Sequence, residues 1–195
     1  MVILVMGVTG SGKTTVGTLL AAKLRWTFLD ADDFHSPENR RKMHLAIPLT
    51  DADRLPWLTA IHEELLRRTA SGESVVLACS ALRQSYRELL GASLDTKLVY
   101  LRGTPEELHH NLATREHHFA GESLEPSQLA TLEEPAAALV EDIAQPPEQI
   151  VASICAGLKL WKSYTSSGPI FLLRIGSIIN SCVTRRCSKI GTAQT

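Results

Sequence analysis

The sequence predicts a three-layer α/β/α domain, in which a parallel β-sheet lies between two layers of helices. Short apolar runs rich in β-branched residues alternate with longer segments of helical periodicity. Several of these runs are apolar on both faces, which is typical of strands covered by helices on both sides. The first run leads directly into a glycine-rich turn and then a helix, so the chain begins with a strand–turn–helix unit.

Length and composition fit one domain of this class. The 195 residues are 44% hydrophobic and carry a formal net charge of −1, which argues against a disordered chain and a general nucleic-acid-binding protein. No apolar stretch is long enough to span a bilayer, so we expect no membrane anchor. The four cysteines, Cys79, Cys155, Cys182 and Cys187, show no metal-ligand pairing. We therefore expect no zinc site and a cytoplasmic protein.

The first strand is predicted over residues 2–5, and the turn after it is a phosphate-binding loop. Residues 7–14 match G-x-x-x-x-G-K-[ST] at every fixed position. In such a loop, successive backbone N–H groups and the positive end of the next helix bind phosphate groups. Lys13 would meet the β- and γ-phosphates and Thr14 would bind Mg²⁺. The predicted nucleotide-binding residues are Gly7, Gly10, Ser11, Gly12, Lys13, Thr14 and Thr15.

The second strand, residues 26–30, ends in an acidic turn. Carboxylates at the carboxyl end of a parallel strand open into the crevice where such sheets bind ligands. Alternation of side chains along the chain points Asp30 and Asp32 one way and Asp33 the other. We therefore predict functional roles for Asp30 and Asp32 and a helix-capping role for Asp33. The alternative is an acidic turn that only caps the next helix.

The next segment is polar and basic. Ser36 followed by proline is a typical helix start, and a further helix is predicted over residues 58–70 from apolar residues at helical spacing. Arg54 precedes that helix and could hold a carboxylate or phosphate by two-point binding. The alternative is an ion pair with Asp51 or Asp53, and spacing alone leaves both open.

The third strand, residues 74–79, is predicted to be central because it is apolar and β-branched. A basic segment follows it and opens a helix, on which Arg83 and Arg87 share one face at i and i+4. Their place beside a strand end favours an anion site over a surface stripe. A fourth strand is predicted over residues 97–101 and a weaker fifth over 138–143.

The segment after the fourth strand predicts a mobile lid over about residues 115–130. It is polar, contains glycine and lacks a core pattern. Such a lid would bring Arg115 over the phosphates and exclude water. The chain changes character at residue 161, and we predict an extension of unknown role over 161–195. The remaining predicted helices span residues 105–115, 127–132 and 147–160.

These motifs together resemble the gluconate kinases (gluconokinases), which are small-molecule kinases of the nucleoside-monophosphate-kinase and shikimate-kinase type. The matching stretches are GVTGSGKTTVG, LDADDFHSPENRRKM, PLTDADRLPWL, VVLACSALRQSYR, REHHF, LEEP and DIAQPPEQIVASI. They lie within residues 2–154, about four-fifths of the chain. Many unrelated NTPases share the phosphate loop, whereas the combination of the other blocks is specific to this family.

The resemblance implies a P-loop NTPase fold over residues 1–160 and phosphorylation of D-gluconate at its C6 hydroxyl by ATP and Mg²⁺. It implies that Asp32 is the general base, that Asp30 lies near the metal through water, and that Arg115 neutralises charge on the transferred group. Lys13 completes the predicted catalytic set. The residues predicted to surround gluconate are Asp32, His35, Lys42, Arg54, Arg83 and Arg87.

The chain departs from the family pattern at two positions. Arg83 stands where lysine is usual, and His117 stands where the lid motif has glycine. The resemblance also implies a homodimer. Two rival functions follow from the sequence: a kinase acting on shikimate, which is also a hydroxylated acid, and a regulatory nucleotide-binding protein without turnover.

Overall fold

A parallel sheet of five strands forms the centre of the computed structural model, which describes residues 1–45, 47–114 and 121–160, with the backbone alone for 121–125. The strand order is β2–β3–β1–β4–β5, and each neighbouring pair is parallel. All five predicted strands are present, and the predicted fold class is confirmed. The strands are β1 (Val2–Met6), β2 (Thr27–Asp30), β3 (Val75–Ala78), β4 (Thr96–Arg102) and β5 (Leu139–Asp142).

Seven α-helices are described in these residues, together with a short 3₁₀ helix, Ala31–Phe34, directly after β2. The α-helices are α1 (Lys13–Leu24), α2 (Pro37–His44), α3 (Asp51–Ala70), α4 (Gln84–Gly91), α5 (Pro105–Ala113), α6 (Gly121–Thr131) and α7 (Pro147–Gly157). No described helix is long and apolar enough to cross a membrane.

The core has two parts because the side chains of the central strand β1 alternate between the two faces of the sheet. Leu4 and Met6 pack with Leu58 and Ile61 of α3, whereas Ile3 packs with residues of α1 and α7. All five of these side chains are buried. The sheet is therefore covered on both faces, which explains why its strands are apolar throughout rather than alternating with polar residues.

Helix α3 begins at Asp51, earlier than the predicted boundary at residue 58, so that prediction was wrong. The cause is a capping box: the Thr50 hydroxyl accepts the Asp53 N–H at 3.2 Å, and the Asp53 carboxylate accepts the Thr50 N–H at 2.9 Å. This reciprocal pair starts the helix. Pro56 lies inside the helix, where it removes one backbone donor near the N-terminus without ending the helix.

Helix α6 also begins earlier than predicted, at Gly121 rather than at residue 127. It contains Pro126, a residue that ordinarily indicates a helix boundary. Part of the predicted lid is therefore helical, while residues 115–120 lie outside the described residues. The predicted extension, 161–195, also lies outside them, and the described residues fall within one unit, Met1–Lys162.

Candidate active site

A cleft of about 470 Å³ opens at the carboxyl ends of the strands. Its walls come from the loop after β1, the acidic turn after β2, the segment after β3, and helices α2, α3 and α6. The predicted residues that line it are Gly10, Gly12, Lys13, Thr14, Asp30, Asp32, His35 and Arg54. The structure therefore brings the predicted phosphate loop, acidic turn and one basic residue around one cavity.

The phosphate loop has a backbone shape that glycine accommodates. Gly10 and Gly12 both have φ of +83°, in the left-handed region. A Cβ atom on Gly10 would lie 2.7 Å from the carbonyl oxygen of Leu108, which belongs to α5. The side chain of Asn111, also on α5, donates to the Gly10 carbonyl at 3.0 Å. Helix α5 thus fixes the back of the loop.

Lys13 and Ser11 show how the loop is arranged in the structure. The Lys13 ammonium donates to the Val8 carbonyl at 2.9 Å, so it reaches across the loop from the start of α1. The Ser11 side chain is buried, and its hydroxyl has no hydrogen-bond partner among the described residues. A tight loop of this form, with its lysine across the opening, fits a chain of phosphate groups.

Thr14 and Asp30 meet at the edge of the phosphate loop. The Thr14 hydroxyl donates to one Asp30 carboxylate oxygen at 2.8 Å, and the other oxygen accepts the Asp32 N–H at 3.1 Å. These neighbouring oxygen donors suit Mg²⁺, which prefers oxygen ligands and keeps several waters. The described residues contain no group of three or more His, Cys, Asp or Glu side chains that could hold a metal.

The predicted capping role of Asp33 was wrong. Asp30 caps the 3₁₀ helix, because its carboxylate accepts the Asp32 N–H, and Ser36 caps α2 by accepting the Asn39 N–H at 3.1 Å. Asp33 instead uses its backbone carbonyl, which accepts a hydrogen bond from Arg40 at 2.8 Å. A carboxylate that lines the cleft can therefore also be a cap, whereas the sequence interpretation predicted only one role for each residue.

Asp32 presents its carboxylate to the cleft, where 77% of the side chain is exposed. Partial desolvation raises its pKa, and the charge of Asp30 raises the pKa further, while Lys13 lowers it. Because most of the side chain is exposed to water, we attribute the raised pKa of Asp32 to repulsion from the Asp30 charge more than to desolvation. A carboxylate with a raised pKa, open to a cleft, is suited to accept a proton.

His35 is buried beside Asp32 and stacks on Trp57, with ring centroids 4.3 Å apart and planes 13° apart. Its Nε2 lies 3.9 Å from an Asp32 oxygen. Trp57 is fixed by a 2.7 Å hydrogen bond from its indole N–H to the Ala31 carbonyl. Burial lowers the pKa of His35 to about 4, helped by the positive charges of Arg40 and Arg54. The ring is therefore neutral at neutral pH.

The basic residues divide into one group that lines the cleft and one that does not. Arg54 lines it, and its guanidinium lies 3.5 Å from an Asp51 oxygen and 3.4 Å from the Tyr86 hydroxyl. Both readings of Arg54 are thus compatible with the structure. Lys42 pairs with Asp53 at 2.8 Å. The three predicted gluconate ligands that do not line the cleft are Lys42, Arg83 and Arg87, and their roles stay predictions.

Arg83 and Arg87 make contacts within the protein. The Arg83 guanidinium pairs with Asp51 at 2.7 Å, and Arg87 donates to the backbone carbonyls of Ala81 and Leu82. Arg115 and His117 lie outside the described residues, so the predicted role of Arg115 in the lid stays a prediction.

Several cleft residues were missed by the sequence interpretation. Arg40 donates to the His35 carbonyl at 3.1 Å and to that of Asp33, so it fixes the turn that carries Asp32. The sequence contained a usable signal for Arg40. Because Ser36 begins a helix, helical spacing directs Arg40 differently from the neighbouring basic residues. Gln128 of α6 accepts the Thr9 N–H at 2.8 Å, and no local pattern predicts a contact between residues so distant in sequence.

Comparison with known proteins shows which family this chain belongs to. A family model described as shikimate kinase matches residues 9–158. The gluconokinase of Gluconobacter oxydans (strain 621H) is 50% identical over 134 residues, a match covering 68% of this chain and 75% of that protein. The chain belongs to the gluconokinase family. The resemblance inferred from the sequence blocks is thereby confirmed.

Solved structures agree with membership of the gluconokinase family. A gluconokinase from Sinorhizobium meliloti 1021 is 44% identical with a TM-score of 0.73, and the match covers 83% of this chain and 93% of that chain. A sugar kinase from Janibacter sp. HTCC2649 is 41% identical with a TM-score of 0.78, covering 83% of this chain and 96% of that one. The domain is therefore an α/β P-loop kinase fold.

Proposed function

We propose that this protein transfers the γ-phosphoryl group of ATP to the C6 hydroxyl of D-gluconate, giving ADP and 6-phospho-D-gluconate. Membership of the gluconokinase family supports this function. The observation that carries it is the cleft itself, because the phosphate-loop residues Lys13 and Thr14 share one cavity with Asp32, His35 and Arg54. Phosphoryl transfer needs a triphosphate site and an acceptor site that meet in this way.

The nucleotide side of the cleft would hold ATP and Mg²⁺. Backbone N–H groups of residues 10–15 and the Lys13 ammonium would hold the phosphates, and Lys13 would leave the Val8 carbonyl to do so. Thr14 and Asp30 would hold the magnesium ion, Asp30 through water. Bound there, Mg²⁺ would neutralise charge on the β- and γ-phosphates.

The acceptor side would bind and deprotonate gluconate. Asp32 would accept the proton of the C6 hydroxyl while the C6 oxygen of gluconate attacks the γ-phosphorus. The bond between that phosphorus and the ADP oxygen breaks in the same step. Neutral His35 would act as a hydrogen-bond partner rather than a cation. Arg54 is the predicted cation that lines the cleft on this side, so it would meet the gluconate carboxylate.

The remaining predictions extend this proposal. Lys42, Arg83 and Arg87 around gluconate, and Arg115 over the transferred phosphate, are expectations from the family resemblance. A homodimer is an expectation of the same kind, and a cytoplasmic location is the expectation drawn from the cysteine content. Each would add to the function without changing the reaction.

A coupled assay of ADP release tests the proposal. We expect the purified protein with Mg-ATP to release ADP with D-gluconate, and at background rate with shikimate or without an acceptor. The variant Lys13→Ala should fall to background because it loses the β- and γ-phosphate contact. Turnover with shikimate instead of gluconate would overturn the acceptor. Binding of ATP without turnover on either acid would favour the regulatory alternative.

A further inference from the structure

The short loop between β3 and α4 lines the cleft and packs in one cluster with Trp57, on which His35 stacks. Cys79, Ser80 and Leu82 line the cavity, and Ala81 between them is buried. Ala81 has a φ of +44°, in the left-handed region. A residue with a Cβ atom adopts this conformation at a cost, so surrounding contacts must hold the loop in it.

Arg87 holds the loop from the side of α4. Its guanidinium donates to the Ala81 carbonyl at 2.9 Å and to the Leu82 carbonyl at 3.0 Å. One of these carbonyls belongs to Ala81 itself, and the other belongs to Leu82, which lines the cleft. The Arg87 side chain is half-buried and is not among the described residues that line the cleft. It therefore acts on the loop backbone rather than on the cavity.

Glu133 holds the same loop from the other side. Its N–H donates to the Leu82 carbonyl at 2.9 Å, and its carboxylate accepts the N–H of Gln84 at 2.6 Å. Gln84 is the first residue of α4, whose N-cap, Arg83, makes no capping hydrogen bond with its side chain. The Glu133 carboxylate thus supplies the cap and places a negative charge at the helix N-terminus.

Glu133 also connects this loop to α6. It belongs to the LEEP stretch, two residues beyond the end of α6, to which no role was assigned from the sequence. Leu129 and Leu132 pack in one cluster with Leu82. Helix α6 in turn reaches the phosphate loop through Gln128 and Thr9. Glu133 therefore lies between the β3–α4 loop and the helix that contacts the phosphate loop.

We propose that Arg87 and Glu133 are positioning residues that clamp the β3–α4 loop in its strained form and so shape the acceptor side of the cleft. The kinetic effects expected from this inference rest on the proposed function, because they are measured with gluconate as the substrate. It assigns Arg87 a different task from the one expected from the family resemblance, in which Arg87 contacts gluconate directly.

A double-mutant experiment separates the two tasks of Arg87. Arg87→Met keeps an unbranched apolar side chain but removes the guanidinium donors, and Ala81→Gly removes the Cβ that makes the loop strained. We expect Arg87→Met to raise KM for gluconate about tenfold while KM for ATP changes less than about twofold. Adding Ala81→Gly should lower that raised KM for gluconate about threefold, because glycine adopts positive φ freely. No recovery would show that Arg87 contacts gluconate and would overturn the clamp.

Glu133 supplies an independent test, since it is not among the described residues that line the cleft. Glu133→Gln keeps an acceptor for the Gln84 N–H, so it should change KM for gluconate less than about twofold, whereas Glu133→Ala should raise it about fivefold. Glu148→Gln, at an exposed position of α7, is the matched control. Equal effects of the Gln and Ala variants would contradict a capping role.

Amide hydrogen exchange gives a readout that does not depend on turnover. Exchange at residues 82–84 should be faster in Arg87→Met and Glu133→Ala than in the wild type, with unfolding temperatures that show both variants are folded. Unchanged exchange there would overturn the clamp even if gluconate is the substrate. If the wild type did not phosphorylate gluconate, the proposed function would fail, and faster exchange would still support the clamp.

Discussion

Neighbouring carboxylates in the acidic turn have different tasks because the backbone gives each of them different partners. Asp30 is engaged by the Thr14 hydroxyl and by the Asp32 N–H, so it faces the phosphate loop. Asp32, two residues later, presents an exposed carboxylate to the cleft. Asp33 contributes its backbone carbonyl, which Arg40 binds. The proposed roles of Asp30 beside the metal and of Asp32 as the base, and the structural carbonyl of Asp33, would thus arise within one turn of chain.

Replacing Asp32 with asparagine tests its role as the base. We expect Asp32→Asn to lower kcat by about 10²- to 10⁴-fold, because the amide cannot accept the proton of the gluconate hydroxyl. The affinity for ATP should change little, since the phosphate loop is untouched. Steady-state kinetics and direct nucleotide binding measure both quantities. Asp33→Asn is the control and should retain kcat within about threefold, because the contact of Asp33 with Arg40 uses the backbone carbonyl. A changed KM with unaltered kcat would make Asp32 a binding group only.

The buried His35 ring predicts a pH dependence of stability. Its pKa is about 4 in the folded protein, below the usual 6.5, so the unfolded chain takes up a proton between these values while the folded protein does not. Stability should therefore fall as the pH falls from 6.5 to 4, by up to ~3 kcal/mol from this residue. The contribution is fully present above pH 6.5.

Chemical denaturation from pH 7 to pH 4 measures this effect. His35→Gln should flatten the decline in the free energy of unfolding relative to the wild type, because glutamine does not titrate. The control His110→Gln, at an exposed position of α5, should follow the wild-type curve. If His35→Gln also followed the wild-type curve, the pKa of the ring in the folded protein would equal its usual 6.5, and burial would not keep the ring neutral below that pH.

At the scale of elements, two local structures deliver the reacting groups to the cleft. The phosphate loop is held by α5, through Leu108 and Asn111 behind Gly10. The capping box at Thr50 starts α3 at Asp51, which places Arg54 in its first turns and Trp57 one turn later. Arg54 therefore reaches the cleft, and Trp57 supports His35, because a helix begins where the sequence interpretation expected a loop.

Two glycines of the phosphate loop form a matched pair for mutation. Both have φ of +83°, but a Cβ on Gly10 would meet the Leu108 carbonyl at 2.7 Å, whereas a Cβ on Gly12 would meet nothing within 4 Å. Gly12→Ala should cost only the backbone penalty, ~1–2 kcal/mol. Gly10→Ala should cost more and should weaken ATP binding, because the loop must move away from α5. Thermal unfolding and nucleotide titration test this, and equal losses in both variants would contradict the close packing.

At the scale of the whole molecule, the order of the strands determines where the cleft lies. Along the sheet, β3 and β2 lie on one side of β1, and β4 and β5 lie on the other. The connection after β1 leads toward β2, whereas the connection after β3 leads the opposite way, toward β4. Ligand crevices in open α/β sheets form between adjacent strands whose connections diverge in this way. The phosphate loop follows β1, while the acidic turn and the β3–α4 loop follow the strands on one side. The two halves of the site meet for this reason.

Shortening the chain tests whether residues 1–160 suffice. Among the described residues, which end at residue 160, buried side chains cover both faces of the sheet. We expect a variant that ends at Leu160 to unfold at nearly the wild-type temperature and to keep kcat and KM for gluconate within about twofold. Thermal unfolding and the ADP-release assay measure both. Loss of folding would show that residues 161–195 contribute to the core.

The sequence by itself determined the fold class, the phosphate loop and the family. Each depends on local signals: apolar runs, glycines at fixed spacing, and blocks such as DADDFH and D-x-D-R-x-P-W-L. Local patterns also identified Asp30, Asp32 and Arg54, and the family resemblance added His35; all four line the cleft. Side-chain alternation and strand ends carry this information because they depend only on neighbours along the chain.

Only the tertiary structure decided which cations reach the cleft and which hold the protein together. Arg54 and Arg87 look alike in sequence, yet one lines the cavity and the other donates to two loop carbonyls. The contact from Glu133 to Gln84 joins residues that are 49 positions apart. A flexible basic side chain can reach in several directions, and its partner is set by how distant elements pack, which local patterns do not encode.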